Sequence, residues 1–545
     1  MSPGIWSIWY DKRLDREQVI RYDMIKISPV PAPPGNPPPQ LIATIHIGAN
    51  AVSMMVGAPG ERGDVDPVDF FEQTVPLARD VFRSGQIGRA SIERCVRILR
   101  DYRASLQELG VTDGKPNRIV CTNILAEAVN QEIFLNRIHV ACGLVVEPLD
   151  DGEQTRLVYM KTQRLLAAQK PLARGRTLVV HVGPGNTRIL LFQGGRIERY
   201  SSYRLGTHRS YEAVQAGDPH GPALLKLLAE QTRANLDQIA FEYRGIKVEE
   251  FVGIGYEIQE VARTLLGPKH PAVGLKALRA FLAEIAALST DERVRRFSVD
   301  YSSADSAVAS VFINLRLAES FGARQIRFPA RGFEHGLLAD LPFSSSISGR
   351  FESEVLQAAT TLARRYQVDP RHARHVEKLC TTLFDATASL HQLPSRDRLL
   401  LRVAAILHEV GNFITPRAHH KHSYYIIRSS EIFGLSVHDI ETIALVARFH
   451  RHSIPKPVHE GYAELSREDR MRISKMAAIL RVADALDRGH AQRVRGLTTR
   501  MAEGKFLIGL GEVTDVGVEQ MALADKADLF QHIFGLEVVL EPGAV

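Results

Sequence analysis

The chain is poor in cysteine and has no long apolar stretch. Its 545 residues contain four widely spaced cysteines with no CxxC pair. This usage argues against a disulfide framework and suggests reduced, mostly buried thiols in a cytoplasmic protein. No run of about 18 apolar residues occurs, so no membrane span is expected. The first residues, MSPGIWSIWYDKRLD, also lack the basic start and apolar core of a signal peptide.

The chain also lacks a strong excess of positive or negative charge. The net charge is +6 and the isoelectric point is near 9.0. Such a mild excess is as compatible with a polyanionic ligand as with no special partner, and we expect no specific nucleic-acid partner. The hydrophobic and charged contents of 45% and 24% are those of a soluble globular protein. The length predicts two to four domains.

Composition and periodicity divide the chain into five parts. A proline-rich tract, PVPAPPGNPPP, separates a leader from alternating strand and helix patterns. Helical periodicity with almost no strand signal follows, and strand-like patterning returns at the end. The predicted parts are a leader and linker (1–40), two α/β lobes (41–175 and 176–343), an all-α domain (350–495) and a small α+β segment (496–545).

Two segments share one sequence pattern and look like a duplication. Leu41–Asn50 reads LIATIHIGAN, and Leu178–Thr187 reads LVVHVGPGNT. Each is a short apolar run that ends in a histidine, His46 or His181, and then opens into a glycine loop. A third strand-to-glycine turn, FVGIGYEI, begins at Phe251. Buried strands that deliver glycine turns are how a duplicated actin/sugar-kinase-like fold binds phosphate, with one loop in each lobe.

The order of further motifs makes the chain resemble a known family. It is similar to the Ppx/GppA family of exopolyphosphatases and guanosine pentaphosphate phosphohydrolases, in the long form that carries a C-terminal HD-type domain. The resemblance runs from about Leu41 to Arg488. The segments that carry it are HIGANA, TNILAEAVN (Thr122–Asn130), GEQTRLVY (Gly152–Tyr159), HVGPGNTRI, GFEHGLL (Gly332–Leu338), AAILHEVGNFI, HHKHSYYII and LVARFHR.

The resemblance implies a fold and a reaction. The fold is a two-lobed, duplicated actin/sugar-kinase-like (ribonuclease H-like) α/β domain, followed by an all-α HD-type domain and a small α+β piece. The reaction is hydrolysis of the terminal phosphoanhydride of polyphosphate or of guanosine penta- or tetraphosphate, with Mg²⁺ or another divalent metal. Relatives with the helical domain also lead us to expect a homodimer.

Position by position, this chain departs from the residues that do the chemistry in the family. The resemblance assigns that work to two loop aspartates, to the second glutamate of an EEA segment, to a glutamate of the second loop and to a phosphate-contacting arginine. Here those positions hold His46, His181, Gln154, Arg188 and Ala126, and two loop serines are Ala49 and Ala51. Gln154 offers no protonatable base near neutral pH, and Arg188 inverts the local charge. We therefore expect magnesium-dependent hydrolysis here to be lost or very weak.

An anion cradle of backbone amides survives these changes. Glu127 and Glu153 also remain among the acids. For His46 and His181 three interpretations stay open: metal or acid–base groups, buried polar residues of a decayed site, or parts of a site that holds an anion without turnover. The predicted phosphate-binding residues are Gly48, Asn50, Gly183, Gly185, Asn186, Thr187, Gly253 and Gly255.

The helical domain is rich in histidine and carries a second candidate site. It holds 12 of the 20 histidines of the chain, 11 of them from His372 to His459. An HD-type site binds a divalent metal through histidine nitrogens and carboxylate oxygens, and by resemblance its ligands here are His372, His408, Glu409 and Asp484. Further histidines, His420, His422 and His450, lie within a basic surface. A structural or polyanion-binding domain and an occupied metal site are both open at this point.

Three functions therefore compete. The first is an exopolyphosphatase-like protein that binds polyphosphate or guanosine polyphosphate, with impaired catalytic carboxylates. The second is a regulatory pseudo-enzyme that binds the same ligands and turns nothing over. The third is a metal phosphohydrolase that acts from the helical domain.

Overall fold

The computed structural model describes most of the chain beyond the proline-rich tract. Part of the resemblance, Gly332–Leu338, lies outside the described residues, as does nearly all of the leader. The described residues are 20–21, 41–59, 65–111, 118–168, 175–255, 257–259, 261–262, 272–297, 299, 301–328, 349–451, 454–511 and 515–541. Within these ranges, no helix is long and apolar enough to cross a membrane.

The first six-stranded sheet is built on a hairpin. Strands β2 and β3 pair antiparallel with Ile47 opposite Val52, as the two apolar runs predict, and β5 pairs parallel to β2. Strand β2 is buried almost along its whole length because neighbours cover it on both sides. The sheet order is β1-β4-β3-β2-β5-β6, with β1 at Ile20–Arg21, β2 at Ile42–Ile47, β3 at Ala51–Pro59, β4 at Val65–Thr74, β5 at Arg118–Cys121 and β6 at Glu147–Pro148.

The second six-stranded sheet repeats the arrangement of the first. Its order is β11-β12-β10-β7-β8-β9. In both sheets the first three strands of the motif lie consecutively, and two later strands continue beyond the first of them: β5 and β6 in the first sheet, and β10 and β12 in the second. The strand order therefore supports the predicted duplication. The strands are β7 (Arg176–Val182), β8 (Thr187–Gln193), β9 (Arg196–Tyr203), β10 (Glu250–Ile254), β11 (Ala272–Gly274) and β12 (Gln325–Arg327).

Helices of the α/β part are amphipathic at the spacing that the sequence shows. In α2 the buried positions Ile92, Val96, Leu99 and Leu106 recur every three to four residues or a multiple of them. Helix α1 ends at Gly85, whose φ of 71° suits glycine. The helices are α1 (Leu77–Ser84), α2 (Arg89–Glu108), α3 (Gln131–Cys142), α4 (Asp151–Ala168), α5 (Thr207–Glu212), α6 (Gly221–Glu242), α7 (Leu275–Ala287), α8 (Thr290–Phe297) and α9 (Tyr301–Ser320), with a 3₁₀ helix at Asn123–Glu127.

The C-terminal part is helical and then returns to sheet. Its helices are α10 (Gly349–Arg365), α11 (Pro370–Ala386), α12 (Ala388–His391), α13 (Ser395–Leu407), α14 (His419–Arg428), α15 (Val437–Arg448) and α16 (Arg467–Ala485), with a 3₁₀ helix at Val410–Phe413. A three-stranded sheet, β13-β14-β15, follows. Its elements are β13 (Thr498–Ala502), β14 (Lys505–Gly509), α17 (Gly517–Lys526), α18 (Asp528–Phe534) and β15 (Glu537–Glu541).

The chain folds into two compact units. The first unit holds the described residues within 1–149, 179–187 and 203–344, and the second holds those within 150–178, 188–202 and 345–545. Helix α4 thus belongs with the helical region. The start of α4 passes so close to another backbone that a Cβ on Gly152 would lie 2.5 Å from the Ser436 nitrogen. Only glycine fits there, which explains this glycine of the GEQTRLVY segment.

Candidate functional site

The two histidine–glycine loops fold in the same way. The Gly48 N–H donates to the Ala51 carbonyl at 2.8 Å, and the Gly183 N–H donates to the Asn186 carbonyl at 2.9 Å. In each loop the Cε1 atom of the preceding histidine, His46 or His181, lies 3.3 Å from where a Cβ on that glycine would be. Both histidines are buried at the end of a strand. The duplication seen in the sequence therefore extends to the turn itself.

Each loop presents backbone N–H groups that the fold does not use. Among the described residues, the amides of Ala49, Asn50, Gly185 and Asn186 donate to no protein acceptor. Pro184 has no N–H, so the second loop has one donor fewer than a glycine there would give. Unused amides in a tight turn form a concave donor surface for an anion.

The polar side chains of the loops bond to the protein instead. The Asn50 amide donates to Glu257 Oε1 at 3.3 Å, and its oxygen accepts from Ser302 Oγ at 2.9 Å. The Thr187 hydroxyl donates to the Leu205 carbonyl at 2.6 Å. These two predicted phosphate-binding side chains therefore hold the loops in place, and the backbone is left to meet a ligand.

A buried carboxylate, Glu257, lies beside the first loop and was missed in the sequence. It is 2% exposed. Besides Asn50, it accepts from Thr207 Oγ1 at 3.2 Å, and His208 Nε2 lies 3.8 Å away. Burial, reinforced by Arg79, lowers the pKa of His208 to about 3, so this imidazole is neutral at pH 7. The signal was available, because Glu257 follows the third glycine turn by two residues.

The glycines of the third turn allow close packing. A Cβ on Gly255, whose φ is 149°, would lie 2.6 Å from the Val182 carbonyl at the end of β7. A Cβ on Gly253 would lie 2.9 Å from the Ile326 side chain on β12. Both predicted phosphate-binding glycines thus bring β10 and its turn against neighbouring strands. This packing is a sufficient reason for glycine at both positions.

Arg209 on α5 is a second residue that the sequence analysis did not predict, and it bonds to the second loop. Its Nε donates to the Gly185 carbonyl at 2.9 Å, and its guanidinium lies over the Phe82 ring. Its Nη2 also pairs with both carboxylate oxygens of Glu127, at 2.6 and 2.8 Å. An arginine is therefore present beside Glu127, although the adjacent position of the sequence holds Ala126.

Polar residues also line a cavity of about 530 Å³ in the first unit. Arg79 and Arg83 of α1 lie on one wall, and the buried Asp305 of α9 accepts from Thr290 Oγ1 at 2.8 Å. The Ser302 that bonds Asn50 lies one turn earlier on α9. Such a cavity is large enough for a small polar ligand. Nothing in the sequence pattern had predicted it.

In the second unit, Gln154 and Arg188 contact each other. Arg188 Nη2 donates to Gln154 Oε1 at 2.8 Å and also pairs with Asp151. Arg188 is 2% exposed. Its charge is thus paired with Asp151 within the second unit. Glu153 is likewise occupied, in a two-bond ion pair with Arg156 at 2.8 and 2.9 Å.

Three residues of the helical region converge on one point, and we call His372, His408 and Asp484 the histidine cluster. The Nε2 atoms of His372 and His408 lie 3.6 and 3.7 Å from Asp484 Oδ1. Both histidines are fully buried, and neither Nε2 has a hydrogen-bond partner among the described residues. The sequence prediction that these three residues lie together is met in their geometry.

The tautomers of both histidines are set by the groups behind them. The His372 Nδ1–H donates to Asp487 Oδ2 at 2.8 Å, and the His408 Nδ1–H donates to the Ala405 carbonyl at 2.8 Å. Each Nε2 is therefore the ring nitrogen that faces Asp484 Oδ1. Metal-binding histidines are commonly oriented in this way. The supporting Asp487 was not predicted.

A lysine enters the same cluster from the C-terminal segment. Lys526, at the end of α17, pairs with Asp484 Oδ2, and both side chains are buried. Burial alone would raise the pKa of Asp484, but attraction to the buried Lys526 holds that pKa well below its usual range. The predicted set of His372, His408, Glu409 and Asp484 is therefore incomplete without this cation.

The remaining predicted ligands lie further out. Glu409 Oε2 is 4.0 Å from His372 Nε2, and His490 stacks on the His372 ring at 3.7 Å. Among the described residues, the candidate ligand groups are His372–His408–Asp484 and His372–Glu409–His490, and neither contains His420, His422 or His450. His450 packs edge-on against His408 instead. Burial, with repulsion from His408, lowers the pKa of His450 well below its usual range.

Comparison with known proteins decides the family. Residues 62–343 match the model of the Ppx/GppA phosphatase family, and residues 356–512 match Ppx/GppA phosphatase, domain III. The chain belongs to the Ppx/GppA phosphatase family. The helical region is thus the third domain of a Ppx/GppA phosphatase, and its HD-type character stays a prediction.

Curated relatives agree with this assignment. The guanosine-5'-triphosphate,3'-diphosphate pyrophosphatase of Aeromonas hydrophila is 22% identical over 399 residues, which cover 73% of this chain and 78% of the relative. The protein of the same name from Pseudoalteromonas atlantica is 22% identical over 455 residues, which cover 82% and 88%.

Solved structures of the family are similar as well. The Ppx/GppA member of Aquifex aeolicus has a TM-score of 0.44 at 21% identity, covering 57% of this chain and 99% of that one. An exopolyphosphatase from Cytophaga hutchinsonii has a TM-score of 0.49 at 15% identity, covering 56% and 98%. With scores below 0.5, the family assignment rests on the family models and the curated relatives.

Ppx/GppA phosphatases generally depend on a divalent metal, and the loop residues of this chain fit one poorly. Mg²⁺ prefers oxygen ligands, whereas the two strand ends carry His46 and His181. The buried Glu257 already accepts from Asn50 and Thr207. In the described part of the chain, groups of three or more candidate ligands occur only in the helical region.

Proposed function

We propose that this Ppx/GppA protein binds polyphosphate or a guanosine polyphosphate through its two glycine loops, and that it hydrolyses the terminal phosphoanhydride only weakly. The observation that carries the binding proposal is the set of unused amides at Ala49, Asn50, Gly185 and Asn186. Backbone N–H groups hold phosphate oxygens without needing the loop side chains. The replacement of loop serines by alanine therefore leaves these backbone donors in place.

Weak hydrolysis follows from the state of the carboxylates. A water that attacks phosphorus must be oriented or deprotonated by a base. At the position of the family base stands Gln154, an amide whose oxygen accepts from Arg188. The neighbouring Glu153 is committed to Arg156. The remaining buried carboxylate beside a loop, Glu257, carries two hydrogen bonds that its deprotonated form accepts.

Between the two ligand classes, the names of the curated relatives favour guanosine pentaphosphate. The loops themselves would recognise only the phosphate groups. Backbone amides respond to charge and shape and make no contact that identifies a nucleobase. Polyphosphate therefore fits the same loops. Binding to either ligand should weaken as salt rises.

The first experiment measures binding and turnover side by side. Purified protein with Mg²⁺ is given guanosine pentaphosphate or long-chain polyphosphate, and phosphate release is followed together with affinity at several salt concentrations. We expect measurable affinity and a turnover far below the roughly 1–10³ s⁻¹ that is typical of enzymes. Turnover of ordinary size would refute the weak-hydrolysis part. Absent binding to both ligands would refute the cradle, and binding with no release at all would favour the regulatory alternative.

A second experiment restores the missing acids. The variant His46→Asp/Gln154→Glu/His181→Asp/Arg188→Glu should release phosphate about 100-fold faster than the natural protein, since a positioned base contributes roughly that much or more. Gln154→Glu alone is the matched control. Its new carboxylate would pair with Arg188 at once, so it should gain little. Equal gains in both variants would show that the Gln154–Arg188 contact does not limit the reaction.

A further inference from the structure

The C-terminal segment is attached to α16 by two charge pairs, one of them buried on both sides. Lys526 pairs with Asp484, and one turn earlier on α16 the fully buried Arg481 donates to Asp528 Oδ1 at 2.7 Å. Arg481 also donates to the Phe449 carbonyl at 2.7 Å. Helix α16 thus contributes one cation and one anion to the same contact. The anion, Asp484, is the carboxylate of the histidine cluster.

We infer that the ammonium group of Lys526 takes the place of a divalent cation in the histidine cluster, so that the cluster fastens the C-terminal segment without binding a metal. Asp484 carries a negative charge, and Lys526 balances it from the Oδ2 side. A divalent ion on the Oδ1 side would then lie close to a buried ammonium, and the two cations would repel each other strongly at low dielectric. This inference is independent of the proposed function of the loops.

The second group of candidate ligands does not offer an alternative metal position. The rings of His372 and His490 lie 3.7 Å apart and are parallel to within 2°. The nitrogen lone pairs of an imidazole lie in its ring plane, so two stacked rings point their lone pairs side by side. A single ion cannot lie in both planes. The group His372–Glu409–His490 therefore brings ligand atoms near one another without aiming them at one point.

The test is the metal content of the full chain and of charge variants. Natural protein and the Lys526→Met variant are treated with chelator, supplied with Co²⁺, and freed of excess ion. Bound metal is then counted by elemental analysis and by the visible absorption of cobalt. We expect well under one equivalent in the natural protein and close to one in Lys526→Met, which keeps the length of the side chain and removes its charge. Adding Asp484→Asn to that variant should abolish the gain.

A matched control comes from the same segment. Lys505 lies on β14 and is exposed, so Lys505→Met removes one positive charge without touching the cluster and should gain no metal. If Lys526→Met does not fold, as judged by circular dichroism, Lys526→Gln keeps a donor to Asp484 and should show a smaller gain. About one equivalent of tightly held metal in the natural protein would overturn the inference, as would a folded Lys526→Met that stays free of cobalt.

Discussion

The glycine loops and the histidine cluster differ in opposite ways from what the resemblance to the family implies. At the loops, His46 and His181 stand where the resemblance implies aspartates, while the turn and its hydrogen bond are the same in both copies. At the cluster the predicted ligands His372, His408 and Asp484 are in position, while Lys526 supplies a charge that the motif does not contain. A sequence motif alone therefore describes neither region well. The loops offer backbone N–H groups, and the cluster includes a lysine that is distant in the sequence.

The largest effect should come from breaking the backbone of a loop. A Cβ on Gly206 would lie 2.5 Å from Gly185 Cα, and the backbone there is extended, with φ at −140°. Gly206→Ala must therefore displace the second loop, at a cost of about 3 kcal/mol or more. Thermal unfolding and ligand affinity should both fall.

The control for this change is Gly274→Ala. Gly274 has open space around its Cβ position, and its φ of −69° suits any residue. It should lose about 1 kcal/mol or less, which is the usual cost of placing alanine at an N-cap. If Gly206→Ala were as stable as this control and bound ligand equally well, the loop would not depend on its fixed backbone.

Sequence reasoning reached the parts of the molecule that local pattern determines. The β2–β3 hairpin, strand β5 at Arg118–Cys121 and the helices of the C-terminal part follow from apolar periodicity and glycine turns. The assignment of α4 to the unit that holds the helical region could not be predicted from local pattern. It depends on Gly152 meeting the backbone near Ser436, almost three hundred residues away.

The same limit explains which site residues were missed. Lys526 reaches Asp484 of the histidine cluster across 42 residues of sequence. Arg209 meets Glu127 across 82 residues. No local spacing marks such partners, since each is an ordinary charged residue on its own helix or loop. Glu257 is the exception, because it follows directly on a recognised glycine turn.

A second prediction uses pH to sharpen the contrast between the loops and the cluster. His208, beside Glu257, has its pKa lowered to about 3 by burial and by Arg79, against about 6.5 in an unfolded chain. The unfolded state therefore binds the proton more readily. The stability of the neutral form is fully present above pH 6.5 and is lost as the pH falls toward 3, by about 1.4 kcal/mol for each pH unit.

The measurement is chemical denaturation between pH 7.5 and 5. The natural protein should lose about 2 kcal/mol more than His208→Met over this interval, because methionine fills the site and does not titrate. Other buried histidines contribute equally to both proteins and cancel in the difference. Identical pH slopes would mean that His208 is charged in the folded state, and the network around Glu257 would then hold an ion pair.

The smallest of these effects concerns Arg209, and it tests whether a side chain assists the backbone amides of the second loop. Arg209 is partly exposed, contacts the Gly185 carbonyl and shares Glu127 with Arg204, whose side chain is 76% exposed and touches neither loop. Arg209→Ala should weaken binding of guanosine pentaphosphate or polyphosphate about tenfold, which corresponds to about 1.4 kcal/mol. Arg204→Ala removes the same charge from the same carboxylate and should change affinity by less than about twofold, as an exposed charge does. Affinities measured by titration calorimetry at one salt concentration separate the two results. Equal losses of affinity in both variants would mean that ligand binding depends only on the net charge near Glu127. The hydrogen bond from Arg209 to the Gly185 carbonyl would then not contribute to binding.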